Sequence, residues 1–223
     1  AQRLITETAA DTPRSVAFMF AGGGAQHPNM GRGLYDSEPV YRHAVDECLA
    51  ILQSRLKLDL KPLLFPAAGQ EEVAAEQLQR PSLALPALLA TQYAQAKLWQ
   101  SWGVEPTAMI GHSMGEYTAA HLAGVFRLAD ALTLVELRGR LFETLPEGAM
   151  LSVPLPEAEL LPLLTPDLAI GVINGPRLCV ASGPVASIEA LQARLAEMEI
   201  DAARVRINVA AHSPMLEPIL AEF

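Results

Sequence analysis

The chain has 223 residues, of which 51% are hydrophobic and 18% charged, and its formal net charge at pH 7 is −9. This length and composition support a sizeable core and exclude a disordered chain, and the acidic balance argues against nucleic acid or an anionic membrane surface as a partner. No apolar run reaches the roughly 18 residues of a membrane span, and the polar start has no signal-peptide core, so we expect a cytoplasmic protein.

Strands and helices alternate in the predicted structure of the first two thirds of the chain. Residues 1–14 are polar and predict a linker tail of a piece from a longer polypeptide. Short apolar runs predict strands over 15–20 and 107–111, and a glycine-rich loop follows the first strand. Helical periodicity predicts helices over 39–56, 86–102, 116–123 and 130–145. Alternation of this kind indicates an α/β fold with a parallel sheet.

From residue 148 onward, the pattern is that of a smaller unit. Strands are predicted over 149–153, 168–173, 178–182 and 203–207, and helices over 156–164 and 185–198. This β-α-β-β-α-β order is the ferredoxin-like motif. We therefore predict an α/β protein in which an α/β-hydrolase-like large subdomain with a parallel sheet (15–146 and 208–223) carries an inserted ferredoxin-like small subdomain (147–207).

The sequence Gly111-His112-Ser113-Met114-Gly115 lies between a predicted strand and a predicted helix. This is the context of a nucleophile elbow, in which glycines permit a sharp turn and the helix N-terminus faces developing negative charge. A nucleophilic serine needs a base. His212, in the loop where the chain returns to the large subdomain, is favoured over His27, His43, His112 and His121, and a solvated loop histidine stays open as the alternative.

Other candidate residues stay ambiguous on their own. The loop Gly22-Gly23-Gly24 could supply an oxyanion donor or be a simple turn, and it lacks the Lys and Ser/Thr of a P-loop. Without further information, Arg138 and Arg140 are interpreted as ordinary arginines on the surface of a helix. Cys48 and Cys179 are far apart and the histidines form no zinc-type pair, so we expect two buried reduced thiols and no metal site.

Several short motifs follow one another along the chain. They are Phe18-Met19-Phe20-Ala21-Gly22-Gly23-Gly24-Ala25-Gln26, Gly111-His112-Ser113-Met114-Gly115-Glu116-Tyr117, Val135-Glu136-Leu137-Arg138-Gly139-Arg140, Gly148-Ala149-Met150, Asn174-Gly175-Pro176 and Ala211-His212-Ser213-Pro214. In this order they resemble the acyltransferase (malonyl-transferase-like) domains of modular polyketide synthases, from about Val16 to the end of the chain. Such an ordered set is far more specific than any one motif.

The resemblance implies a role for each matching residue. Ser113 would carry the acyl group as an ester, and His212 would be its general base and then the acid for the departing thiol. Backbone N–H groups of Gly23 and Met114 would form the oxyanion hole, and Arg138 would bind the free carboxylate of a malonyl-type acyl group. Further candidates near the site are Gln26, His112 and Asn174.

The resemblance also implies the substrate and the partners. The substrate would be the coenzyme A thioester malonyl-CoA or methylmalonyl-CoA, with no bound cofactor. The acyl group would pass to the phosphopantetheine of an acyl carrier protein, with an adjacent ketosynthase domain in the same polypeptide. Val209-Ala210-Ala211-His212 matches neither His-Ala-Phe-His of malonyl-type nor Tyr-Ala-Ser-His of methylmalonyl-type domains. Ala211 leaves room for a methyl branch, whereas the bulky Met114 resembles the malonyl type, which we slightly favour; Val209 is a third specificity candidate.

The sequence departs from the family pattern at three further places. Gly23 and Leu85 stand where the family commonly has Gln. The family's large domain also normally continues well past the histidine, so we expect this chain alone to expose an apolar face. Two other functions stay open: a serine hydrolase such as a thioesterase, which has no use for Arg138, and a non-catalytic docking segment of a megasynthase.

Overall fold

A computed structural model describes residues 14–205 and 207–223, so all but the last residue of the predicted linker tail lies outside the described part. The elements of the first unit are β1 (Ala17–Phe20), α1 (Arg32–Ser37), α2 (Pro39–Leu56), α3 (Lys61–Leu64), α4 (Glu71–Gln77), α5 (Pro81–Ser101), β2 (Ala108–Gly111), α6 (Gly115–Leu122) and α7 (Leu128–Glu143). The elements of the second unit are β3 (Gly148–Val153), α8 (Glu157–Leu160), β4 (Ala169–Gly175), β5 (Leu178–Pro184), α9 (Val185–Glu197) and β6 (Ala203–Arg204). Short 3-10 helices span Leu161–Leu163 and Pro214–Ile219.

The first unit is a parallel strand pair packed against helices. β1 and β2 run side by side in parallel, with Phe20 opposite Gly111, so both strands end at the same edge. The main core lies among α2, α5 and α7, because each presents a row of apolar side chains to the others. On the open face of the strands, Met19 and Ile110 are 80% and 60% exposed. The described chain thus leaves apolar sheet surface uncovered.

The start of α5 differs from the prediction. The helix begins at Pro81 rather than at Pro86, which lies inside it. Proline is favoured in the first helical turn, so either proline could mark the start from sequence. The carboxylate of Glu143, at the end of α7, accepts hydrogen bonds from the backbone N–H and the hydroxyl of Ser82 at 2.9 and 2.5 Å. A cap from a distant residue therefore extends the helix.

The second unit is a four-stranded antiparallel sheet in the order β4-β5-β3-β6, with α9 packed on one face. This is the strand arrangement of the ferredoxin-like motif, and with the parallel strand pair it confirms the predicted fold class. β6 ends at Arg204, whereas the predicted strand continues to residue 207. Arg206, within that predicted strand, lies outside the described residues. The other strands lie within two residues of their predicted bounds.

The segment that leads back from the small sheet lies between the two units. The N–H of Gly148, the first residue of β3, donates to the carbonyl of Asn208 at 3.3 Å. Val209 and Ile219 pack on Leu141 and Phe142 of α7 in a small apolar cluster. Residues 208–213 are therefore held from both sides, next to the end of β2.

Candidate active site

The turn between β2 and α6 is a tight elbow centred on Ser113. Ser113 adopts a left-handed conformation with φ 52°, unusual for a residue with a side chain. A Cβ atom on Gly111 would lie 2.0 Å from the backbone nitrogen of Glu116, and one on Gly115 would lie 2.2 Å from the carbonyl oxygen of Phe20. Both positions therefore require glycine, because the elbow folds on itself and presses against β1.

His212 faces the serine from the loop that connects the two units. Nε2 of His212 lies 2.8 Å from Oγ of Ser113, which is hydrogen-bond distance. Burial lowers the pKa of His212 below its ordinary value of 6.5, and the charges of Arg138 and His112 lower it further, while Glu116 opposes them. The imidazole is therefore neutral at pH 7 and able to accept a proton from the serine.

Arg138 presents a cation to the same pocket. It lies on α7, and its guanidinium carbon is 5.0 Å from the ring centre of Phe142 and 5.6 Å from that of Tyr117. In the described part of the chain, no carboxylate lies within ion-pair distance of Arg138, whereas Nε of Arg140 is 2.9 Å from the carboxylate of Glu136. Two aromatic rings hold Arg138 in place and leave its donors for an anionic ligand.

The glycine-rich loop after β1 touches the elbow. A Cβ on Gly22 would lie 2.6 Å from Nδ1 of His112, so the loop needs glycine there for its close approach. The N–H of Gly24 donates to Oε1 of Gln26 at 2.8 Å. Among residues 14–205 and 207–223, the N–H groups of Gly23 and Met114 make no hydrogen bond, and both residues line the pocket. Two backbone donors therefore remain for an oxyanion.

His112 points away from Ser113 and toward the small sheet. Nε2 of His112 lies 2.9 Å from Oδ1 of Asn174, near the end of β4. The elbow geometry predicts this direction for the residue before the nucleophile. The contact joins the large and small units beside the serine, which brings these two sequence candidates together.

The pocket itself is a cavity of about 200 Å³ between the two units. All the specificity candidates line it, namely Met114, Val209 and Ala211. A Cβ on Gly23 would lie 3.8 Å from Cδ2 of Leu85, so the two departures from the family's Gln are neighbours at the wall. The small sheet forms another part of the pocket wall, which the sequence analysis did not predict. Its side chains there are Met150, Ser152, Val172 and Val180. Alternation along β3 could have pointed to Met150 and Ser152, whereas Val172 lies on β4 and Val180 on β5.

Cys48 and Cys179 are both free and buried, as predicted. No group of three or more His, Cys, Asp or Glu side chains with metal-binding geometry occurs in the described ranges. No helix among the described residues has the length and apolar character needed to cross a membrane.

Comparison with known sequences places the chain among acyl transferases. The sequence profile of the family described as "Acyl transferase domain" matches residues 17–223. A phenolphthiocerol/phthiocerol polyketide synthase of Mycobacterium tuberculosis is 41% identical over 215 residues, which are 96% of this chain and 14% of that protein. Spectinabilin polyketide synthase system protein NorB of Streptomyces orinoci is 38% identical, over 95% of this chain and 10% of that protein.

Comparison with solved structures gives the same result. The acyl transferase domain of ZmaA is 44% identical with a TM-score of 0.83, over 93% of this chain and 48% of that one. Malonyl-CoA:acyl carrier protein transacylase of Helicobacter pylori is 27% identical with a TM-score of 0.80, over 93% of this chain and 67% of that one. The chain thus spans about half the length of the solved ZmaA domain and a small part of the curated polyketide synthases.

Proposed function

We propose that Ser113 takes a malonyl-type acyl group from coenzyme A and passes it to an acyl carrier protein. The chain belongs to the acyl transferase domain family, and the relatives compared above include polyketide synthases. The observation that carries this proposal is the 2.8 Å contact between Oγ of Ser113 and Nε2 of His212. Arg138 lines the same pocket, and it lacks a carboxylate partner among the described residues. A nucleophile, a neutral base and a cation therefore converge.

In the first half-reaction, Oγ of Ser113 attacks the thioester carbonyl while its proton moves to Nε2 of His212. The oxyanion that forms accepts hydrogen bonds from the N–H groups of Gly23 and Met114, which are otherwise unused in the described chain. The carbon–sulfur bond then breaks, and the imidazolium gives its proton to the departing thiolate of coenzyme A. The product is an acyl ester on Ser113.

The second half-reaction is the reverse, with a different thiol. The phosphopantetheine thiol of the acyl carrier protein gives its proton to His212 and attacks the ester carbonyl. The carbon–oxygen bond to Ser113 breaks, and the oxygen recovers the proton from the imidazolium. Apolar side chains dominate the pocket wall, which disfavours water as a competing nucleophile.

Arg138 selects the acyl group by its carboxylate. A guanidinium held by Phe142 and Tyr117 offers two parallel donors to a carboxylate, which orients the acyl group relative to Ser113. Met114, which is 1% exposed, limits space next to the serine, so malonyl is preferred over methylmalonyl. Ala211 and Val209 complete the wall beside His212.

The partners follow from the same chemistry. An acyl carrier protein is the acceptor, and a ketosynthase domain in the same polypeptide consumes the loaded extender unit. No cofactor takes part, because the Ser113 ester stores the acyl group between the two thiols.

Acyl transfer can be tested by peptide mass spectrometry after incubation with malonyl-CoA. The expected result is one malonyl group on the peptide that contains Ser113, its release on addition of a phosphopantetheinylated acyl carrier protein, and no label in Ser113→Ala. Methylmalonyl-CoA should load more slowly. Ester hydrolysis with no dependence on the carrier protein would support a thioesterase instead, and no label at Ser113 would support a docking segment.

A further inference from the structure

The backbone of His212 is held in an unfavourable conformation. Its φ is 58°, in the left-handed region that residues with side chains avoid. Such a conformation is energetically unfavourable and persists only where the surroundings impose it. The position of the imidazole therefore depends on what holds the peptide units next to His212.

Two serine hydroxyls hold the carbonyl groups that precede His212. Oγ of Ser182 donates to the carbonyl of Ala211 at 2.6 Å, and Oγ of Ser213 donates to the carbonyl of Ala210 at 2.7 Å. Ser213 belongs to the same loop, but Ser182 lies 29 residues earlier, on β5 of the small sheet. The side chain of Ser182 is fully buried, at 0% exposure.

The neighbouring strand is shaped to receive the same peptide. The register of β4 against β5 is interrupted between Ile170 and Val172, where Gly171 is the extra residue. A Cβ on Gly171 would lie 3.3 Å from both the carbonyl oxygen of Ala211 and Cβ of Ser182, and 3.4 Å from Cβ of His212. An alanine at this position would crowd all three atoms by a few tenths of an ångström. The bulge thus makes space for the loop, and Ser182 fixes the loop in that space.

We propose that Ser182 is a positioning residue for His212, which it orients by holding the carbonyl of Ala211 against the small sheet. This proposal rests on the proposed roles of Ser113 and His212. The hydroxyl of Ser182 holds the peptide unit that leads into His212, so it fixes where the side chain of His212 leaves the backbone. Ser182 never touches the substrate, and it acts only through the loop.

The test measures how fast Ser113 reacts with a fluorophosphonate probe, a general reagent for activated serines. Oγ of Ser113 forms a bond to phosphorus, fluoride leaves, and the serine proton goes to His212, so the rate reports base activation without any acyl substrate. Ser182→Ala should lower the rate constant about 10- to 100-fold, the loss expected from a displacement of about 1 Å. The final extent of labelling should stay at one probe per molecule.

Three further variants separate positioning from folding. Ser182→Thr keeps a hydroxyl at this position and should retain part of the rate. Gly171→Ala keeps the Ser182 hydroxyl but crowds both Ser182 and the Ala211 carbonyl, so it should disturb their contact and slow labelling. Ser187→Ala is the matched control, because Ser187 is a serine of α9 in the same subdomain that hydrogen-bonds Asp167 instead. Its labelling rate should equal that of the wild type.

The outcomes distinguish this proposal from the proposed function. If Ser182→Ala lowers only the number of sites labelled and each remaining site reacts at the wild-type rate, Ser182 is merely structural and the proposal is wrong. If the wild type reacts with the fluorophosphonate but not with malonyl-CoA, the proposed acyl transfer fails while the positioning role stands. A wild type that reacts with neither overturns both.

Discussion

Replacement of Arg138 by methionine should convert a carboxylate-selective pocket into an unselective one. The ring centres of Phe142 and Tyr117 lie 5.0 and 5.6 Å from the guanidinium carbon of Arg138. Methionine keeps an apolar side chain against these rings but lacks the charge and the hydrogen-bond donors of arginine. A hydrogen bond to a charged group contributes about 1.5–3 kcal/mol. A bidentate contact to the malonyl carboxylate, with two such bonds, then contributes about 3–6 kcal/mol, which corresponds to a roughly 10²- to 10⁴-fold lower kcat/KM.

The assay compares malonyl-CoA with acetyl-CoA, which lacks the carboxylate, as donors to Ser113. For Arg138→Met, kcat/KM should fall by that factor with malonyl-CoA and change little with acetyl-CoA. Both should be measured near pH 8, because the charge of Arg138 lowers the pKa of His212 and its loss alone moves the pH profile. Arg127→Met is the control, since Arg127 is 82% exposed at the start of the same helix and pairs with Asp130. An equal loss with both thioesters would refute a carboxylate-binding role.

Two further predictions follow from the charges in the structure. The carboxylate of Glu116 raises the pKa of His212, whereas the charge of Arg138 lowers it. The acid limb of the pH–rate profile should therefore move to lower pH in Glu116→Gln and to higher pH in Arg138→Met. Shifts of the two variants in the same direction would contradict this assignment. Burial raises the pKa of Glu143, but the hydrogen bonds from Ser82 and the hydrogen bond and charge of Arg80 together hold it below its ordinary 4.5. Glu143→Gln should therefore lower the free energy of unfolding by about 1 kcal/mol at pH 7, as for loss of a helix cap. In urea denaturation this difference should shrink as the pH falls through the lowered pKa of Glu143, and a constant difference would count against the cap.

The elements that the sequence predicts well are those with a strong local pattern. The strand, the glycine-flanked serine and the following helix are fixed by contacts within a few residues, such as the approach of Gly111 to Glu116. The helix start at Pro81 could not be predicted in this way, because the group that caps Ser82 is Glu143, 61 residues away. From sequence, Pro81 and Pro86 are equally suitable as the first residue of the helix, and the contact between Ser82 and Glu143 distinguishes them only in the structure.

The same limit applies to the site. Ser113 and His212 were predicted as a pair from motifs, but their 2.8 Å separation depends on how the small sheet holds the loop before His212. Ser182 carries no motif of its own, since a serine in a strand is an ordinary residue. Its importance comes from one buried hydrogen bond to Ala211 that joins residues 29 apart in sequence. Only the tertiary structure makes that contact visible.

Backbone strain gives independent support for the site. The non-glycine residues with positive φ in the described chain are Asn29, Lys57, Ser113, Glu199 and His212. Asn tolerates this conformation, and it is common just after helices, where Lys57 directly follows α2 and Glu199 lies two residues past the end of α9. Ser113 lies in the elbow and His212 in the loop between the two units, and their side chains meet at 2.8 Å. Because strain of this kind persists only where the surroundings impose it, the fold holds both residues against their own preferences, and it does so at the one contact that the proposed chemistry requires.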